Sequence, residues 1–252
     1  SLKESFLDIS LPEKQIPIGK KHPIAQTIEE VCNLFSQLGF STKEGPDIES
    51  EYYNFEALNI PTHHPARDMH DTFYLNTQQV LRTHTSPVQI RTMEKKKAPL
   101  KIIVPGKVYR CDADVTHSPV FHQIEGLCVG NNISFSQLKG TLEYFLKAVF
   151  GKDKKIRFRP SYFPFTEPST EVDVEFIKEY KKGSQIIKEK SWLEILGAGM
   201  IHPNVFKSVN YDSKKVKGFA FGLGIERIAM LKYNIPDIRL FYENDSRFLE
   251  QF

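Results

Sequence analysis

The segment Glu171-Val172-Asp173-Val174-Glu175-Phe176 alternates charged and apolar side chains. Successive side chains on an extended strand point to opposite faces, so this pattern predicts a strand with one wet face and one buried face. Lys181-Lys182-Gly183-Ser184 reads as a hairpin turn, and the chain returns through residues 186–195. Further strand candidates are residues 71–75, 80–83, 101–109, 123–129 and 219–221, short runs rich in β-branched and aromatic residues. Strand follows strand, and helices are few and dispersed. That order predicts an α+β fold with a largely antiparallel sheet. It argues against a parallel nucleotide-binding sheet, which needs regular alternation of strand and helix.

Three segments carry helical spacing. In residues 23–38, Ile24, Ile28, Val31, Phe35 and Leu38 fall on one face, with Pro23 at the first helical position and Gly39 beyond the last turn. Residues 86–94 begin with Ser86-Pro87, an N-cap followed by a first-turn proline. Ser134 or Ser136 caps a third helix through Leu138, Leu142, Phe145 and Val149, ending at Gly151. A last helix is expected over residues 225–233. Residues 1–21 are polar and read as an entry segment, leaving 22–252 as one domain. The opening Ser1-Leu2-Lys3-Glu4 is neither a signal peptide nor a methionine start, so the chain is expected to be part of something longer.

Composition narrows the class. Hydrophobic residues make up 40% and charged residues 26% of 252, enough to build a core and too rich for disorder. A net charge of +3 permits an anionic partner without demanding one. Cys32, Cys111 and Cys128 are odd in number and widely spaced, which argues for a reducing, cytoplasmic setting and against a disulfide framework. No apolar run approaches the roughly 20 residues of a membrane-spanning helix, so no membrane partner is expected. His63, His64 and His70 lie near Asp68 and Asp71, but without the spacing of a structural zinc site. The lysine-rich stretches at 95–97, 181–190 and 214–217 read as solvated loops.

Five short constellations could carry chemistry, and each has a plainer reading. Gly222-Leu223-Gly224-Ile225-Glu226-Arg227 follows a strand and opens a helix, where backbone comes close to a ligand and the helix start favours phosphate. Such turns are also common as structure alone. Arg110 ends one strand, and Phe121-His122-Gln123-Ile124-Glu125-Gly126 returns after a polar loop. Gln123 and Glu125 share a face and together suit an ammonium group, or simply make a wet face. In Thr83-His84-Thr85-Ser86, His84 suits a carboxylate or phosphate, or Ser86 is only an N-cap. Phe163 and Phe165 are two apart in an extended segment and face the same way, suited to an aromatic ligand or to a core. Glu167 beside them is a candidate hard-oxygen ligand for Mg²⁺. Gly197-Ala198-Gly199 leaves space beside a strand, for a substrate or for tight packing.

The order of these elements resembles the three signature motifs of class II aminoacyl-tRNA synthetases. The strings Leu81-Arg82-Thr83-His84-Thr85-Ser86, Phe121-His122-Gln123-Ile124-Glu125-Gly126, Phe163-Pro164-Phe165-Thr166-Glu167-Pro168 and Gly197-Ala198-Gly199-Met200 are similar to the bacterial phenylalanine-specific alpha-subunit family, as is His64-Pro65-Ala66-Arg67-Asp68. The resemblance spans residues 16–252. It implies a six- to seven-stranded antiparallel sheet flanked by helices. It also implies a two-step reaction, in which phenylalanine is activated with ATP and then passed to the terminal adenosine of tRNA(Phe).

The resemblance implies a role for each residue. Arg110 holds the α-phosphate. Phe121 stacks on adenine, with Arg227 on the opposite side near the γ-phosphate. His117 approaches the leaving phosphates, and Gly222 and Gly224 admit the nucleotide. His84 and Ser86 position the amino acid, Gln123 and Glu125 bind its amine, and Phe163 and Phe165 clamp its ring above Ala220. Glu167 binds Mg²⁺. A beta subunit in an α₂β₂ assembly is the implied partner, and the family's N-terminal helical arm that grips tRNA is expected to be missing from this stretch of sequence. Other readings are a synthetase-like ligase for another substrate and a catalytically silent module acting in assembly or regulation. The intact Arg110, Arg227, Glu125 and Glu167 argue against the silent module.

Overall fold

In the computed structural model the described residues are 19–65, 67, 71–111, 118–182 and 185–252. They build a seven-stranded sheet with helices on both faces. Helix α1 (Pro23–Gln37) leads into β1 (Ser41–Thr42), β2 (Ile48–Ser50) and the short α2 (Glu51–Asn54). After β3 (Gln79–Leu81) and α3 (Pro87–Lys95) come the long hairpin strands β4 (Leu100–Tyr109) and β5 (Val120–Gly130). Helix α4 (Phe135–Phe150) precedes β6 (Ile156–Phe163), β7 (Thr166–Lys182) and β8 (Gln185–Ile201). The chain closes with α5 (Pro203–Ser208), β9 (Lys217–Gly224), α6 (Ile225–Tyr233) and α7 (Ser246–Leu249).

The main sheet runs β1-β4-β5-β9-β8-β7-β6, and only the β1–β4 pair is parallel. Strands β2 and β3 form a separate antiparallel pair. The expected α+β antiparallel architecture is present.

Helix ends follow the local sequence. Pro23 opens α1, and Gly39 beyond it takes a φ of 84°, in the left-handed region that glycine tolerates. Ser134 and Gln137 cap α4 reciprocally. The expected strand at residues 71–75 does not form, and only Tyr74 bridges to Val80. Asp71 has a φ of 38°, and the Asn76 side chain accepts from the backbone N–H groups of Gln78 and Gln79. That side chain gives the backbone a turn instead of a ladder.

Alternation along the central strands sorts the two faces. Phe219, Phe221 and Leu223 of β9 point to one side with Ile124 of β5, where α1, α4 and α6 pack. Phe35 lies at the centre, 4.9 Å from both Phe145 and Phe221 between ring centroids. The intervening residues Ala220, Gly222 and Gly224 point to the opposite face, which α3, α5 and residues 56–58 cover only in part. That second face holds the candidate site.

A sheet-floor site between two carboxylates

Strand register places the candidate residues. Glu125 of β5 pairs with Gly222 of β9, Gly222 pairs with Gly197 of β8, and Gly197 pairs with Glu171 of β7. Glu171 in turn pairs with Arg159 of β6. Residues directly opposite one another share a face. The row is therefore a carboxylate, two bare glycines, a second carboxylate and a guanidinium. One step along, Leu127, Ala220, Gly199, Ser169 and Ser161 form a parallel row. The two glycines have a reason. A Cβ at Gly222 would sit 3.2 Å from Gln123 Nε2 and Glu125 Cγ, and one at Gly197 would sit 2.7 Å from the Phe163 ring.

Glu125 is 5% exposed. Ser86 Oγ donates to its Oε2, and Gln89 Nε2 donates to the same atom at 2.8 Å. His84 Nδ1 stands 4.0 Å from Oε1. Desolvation raises the Glu125 pKa to about 7, and the Ser86 and Thr85 hydrogen bonds together with Arg110 and Arg82 offset it only in part. The Ser86 side chain makes no cap to α3, because it is spent on Glu125. The side-chain N-cap expected of Ser86 therefore does not form. Gln123 Oε1 is buried and meets no hydrogen-bond donor among the described residues.

The segment 82–86 is held from several sides. Arg82 donates to the carbonyls of Lys107, Gly45 and Pro46 and pairs with Asp47 at 3.0 Å. Asn54 exchanges hydrogen bonds with Thr83, and its carbonyl accepts from His84 Nε2 at 2.9 Å. The His84 ring stacks on Phe165 at 6.2 Å, and Phe165 lies parallel to Phe163 at 6.0 Å with 6° between planes. The two phenylalanines are not i, i+2 neighbours of one strand, as expected from sequence. Phe163 ends β6, and Phe165 lies in the tight turn before β7. Their rings still face the same way, and Phe165 and the half-buried Ala220 both pack against the same apolar cluster.

The phosphate-binding candidates lie toward the β4–β5 loop and the start of α6. Arg110 donates to the Thr83 carbonyl, and its Cζ lies 5.1 Å over the Phe121 ring. Arg227 is exposed, and its Nη1 donates to the Glu194 carbonyl at 3.2 Å. Gly224 is the N-cap residue of α6. His117 lies outside the described residues, as do Asp68 and His70.

Sequence reasoning missed the far bank. Asp173, expected on a wet face, is 1% exposed and accepts hydrogen bonds from both Arg157 and Arg159. These bonds hold its pKa below the ordinary carboxylate range, with Arg159 the largest influence. Glu171 Oε2 and Glu194 Oε2 lie 2.8 and 3.7 Å from the same Arg159 Nη2. Burial and the neighbouring Glu171 push the Glu194 pKa up. The signal in sequence was the pairing of Arg157-x-Arg159 with Glu171-x-Asp173 across a hairpin, legible only once the register is known. Gln89 was also missed, on the face of α3 that meets β5.

Carboxylate oxygens near the arginines fit a Mg²⁺ that keeps waters and phosphate ligands. Glu171 and Glu194 have that character. Glu167 is 74% exposed, and its Oε2 contacts His202 Nε2 at 3.4 Å. No group of three or more His, Cys, Asp or Glu residues able to hold a metal occurs among the described residues. None of the described helices is long and apolar enough to cross a membrane.

A half-open antiparallel sheet with Arg110 at a strand end and Arg227 in the first turn of the helix after β9 is the architecture of a class II tRNA synthetase core. The family model "tRNA synthetases class II core domain (F)" matches residues 6–252. Within that class, the chain belongs to the family of phenylalanine–tRNA ligase alpha subunits. It is 62% identical to the phenylalanine–tRNA ligase alpha subunit of Desulfotalea psychrophila over 249 residues, 99% of this chain and 74% of that one. It is 60% identical to the same subunit of Syntrophus aciditrophicus and 56% identical to that of Cellvibrio japonicus, each over 100% of this chain and 74% of the relative. A pyrrolysyl-tRNA synthetase from Desulfitobacterium hafniense shares the fold, with a TM-score of 0.65 at 19% identity over 88% of this chain and 74% of that one.

Proposed function

We propose that this chain activates L-phenylalanine with ATP to phenylalanyl-adenylate and passes the aminoacyl group to the 3′-terminal adenosine of tRNA(Phe), working with a beta subunit in an α₂β₂ assembly in the cytoplasm. The observation that carries the reading is Glu125: a buried carboxylate that neutral donors leave short of positive charge. The substrate ammonium supplies that charge, with Gln123 Oε1 as a second acceptor. His84 and Ser86 orient the amino acid beside it. Phe163 and Phe165 hold the ring, with Ala220 below it.

Arg110 stabilises the charge that builds on the α-phosphate as the substrate carboxylate attacks and pyrophosphate leaves. Phe121 and Arg227 take the adenine between them, Gly222 and Gly224 let the nucleotide approach the backbone, and His117 meets the leaving phosphates. The protein's work is positioning and charge stabilisation, since the carboxylate itself is the nucleophile. Mg²⁺ would be held by Glu171 and Glu194, with Glu167 a further ligand candidate, and supplies positive charge against the triphosphate when bound.

Amino-acid-dependent ATP–pyrophosphate exchange tests the reading in the enzyme assembled with its beta subunit. Exchange driven by phenylalanine is expected. Exchange driven only by another amino acid, or none with the partner bound, refutes it.

A further inference from the structure

Glu226, the acidic residue beside Arg227, has a buried connection that the roles above do not use. It is 2% exposed although it lies in the first turn of α6. Its carboxylate turns back to β5. It accepts the backbone N–H of His122 at 2.9 Å (Oε1) and 3.0 Å (Oε2). Its Oε1 also lies 2.8 Å from His122 Nδ1 and accepts from the Tyr242 hydroxyl at 2.7 Å.

The position of these contacts matters. The β5–β9 ladder ends at the pair Gln123–Gly224, one residue short of His122. The Glu226 carboxylate accepts the next N–H of β5, in the place where strand β9 has stopped. A backbone N–H left there without a partner would lose its hydrogen bond. Phe121 and Gln123 flank His122 on β5, and Arg227 follows Glu226 on α6. One carboxylate therefore ties together the two elements that approach the nucleotide from opposite sides.

We infer that Glu226 is a positioning residue that fixes the spacing between Phe121 and Arg227, and so sets ATP affinity without touching ATP. His122 Nδ1 is the second arm of this tie, and Tyr242 closes the carboxylate off from solvent. The inference rests on the nucleotide roles proposed above. A tie of this kind acts on the nucleotide half of the site and leaves the Glu125 half alone, because Glu125 is fixed independently by Ser86 and Gln89.

The test uses Glu226→Gln, Glu226→Ala, His122→Ala and His122→Asn in the assembled enzyme, with ATP binding measured by equilibrium dialysis beside exchange kinetics. Glu226→Ala should raise the KM and Kd for ATP about tenfold while KM for phenylalanine stays within about twofold. Glu226→Gln, which keeps one acceptor oxygen and guards against misfolding, should raise them about threefold. His122→Ala should also raise them about threefold, and His122→Asn, which restores a donor near the Nδ1 position, should return them to wild type. Unchanged ATP affinity in both Glu226 variants overturns the inference, as does an equal rise in both KM values. A wild-type enzyme that binds ATP but activates no phenylalanine refutes the substrate reading while these ATP comparisons still stand. One that binds no ATP refutes both.

Discussion

Glu125 and Asp173 are both buried carboxylates on the same face of one sheet, 5% and 1% exposed, yet their acidities move in opposite directions. Asp173 accepts from two guanidinium groups, so its charge is compensated within the fold. Glu125 accepts from a hydroxyl and an amide, both on Oε2, and neither donor brings positive charge. Burial then dominates and pushes its pKa to about 7. The contrast distinguishes a carboxylate whose charge is compensated within the fold from one whose charge is not. A protein gains nothing in stability from the second kind, which makes it the better marker of a binding site.

The largest effect should come from Glu125→Gln. The amide keeps the Ser86 and Gln89 hydrogen bonds and loses only the charge. Exchange kinetics should show kcat/KM for phenylalanine falling about a hundredfold. The same substitution should raise the Tm of the ligand-free protein at pH 7.5 by about 5 °C. The sign follows from linkage. The folded chain holds the Glu125 proton more tightly than the unfolded chain, so stability is lost as pH rises from 4.5 toward about 7, and the amide removes that loss.

Asp173→Asn should act in the opposite direction. It removes the charge that two arginines require, and calorimetry should show Tm at pH 7.5 lowered by about 5 °C. The wild-type contribution of this group is present at neutral pH and is lost in acid, as pH falls from 3.8 through its lower folded value. If both substitutions moved Tm the same way, the distinction between the two carboxylates would fail.

Next comes pH. Between pH 8 and pH 6 the free Glu125 carboxylate becomes mostly protonated, and KM for phenylalanine should rise about tenfold. Steady-state exchange across that range measures it. A flat profile would mean that Glu125 does not titrate there. The smallest effect is expected from Ser86→Ala, which removes a donor that lowers the Glu125 pKa. KM for phenylalanine at pH 7.5 should rise about fivefold, with the pH midpoint shifted upward. An unshifted midpoint would remove Ser86 from the account.

The near bank of the site was legible in the sequence and the far bank was not. Gln123 and Glu125 share a face by period-two spacing, and Ser86 and His84 sit at a strand-to-helix junction that composition marks. Each constellation was ambiguous alone, and the order of the motifs is what tied them together. Asp173 was misread because alternation predicts which face a side chain takes and not what covers that face. Here Arg157 and Arg159 cover it from the neighbouring strand. The strand expected at residues 71–75 failed for a related reason, since the Asn76 turn and the left-handed Asp71 outweigh a β-prone composition.

Proton exchange on binding tests the central claim most directly. Phenylalanine is titrated into the protein at pH 7 by calorimetry in two buffers of different ionisation enthalpy. An ammonium placed beside Glu125 forces a half-protonated carboxyl to ionise, so about half a proton should be released per molecule bound. Glu125→Gln should abolish that release. Binding with no proton released from the wild-type protein would contradict the account.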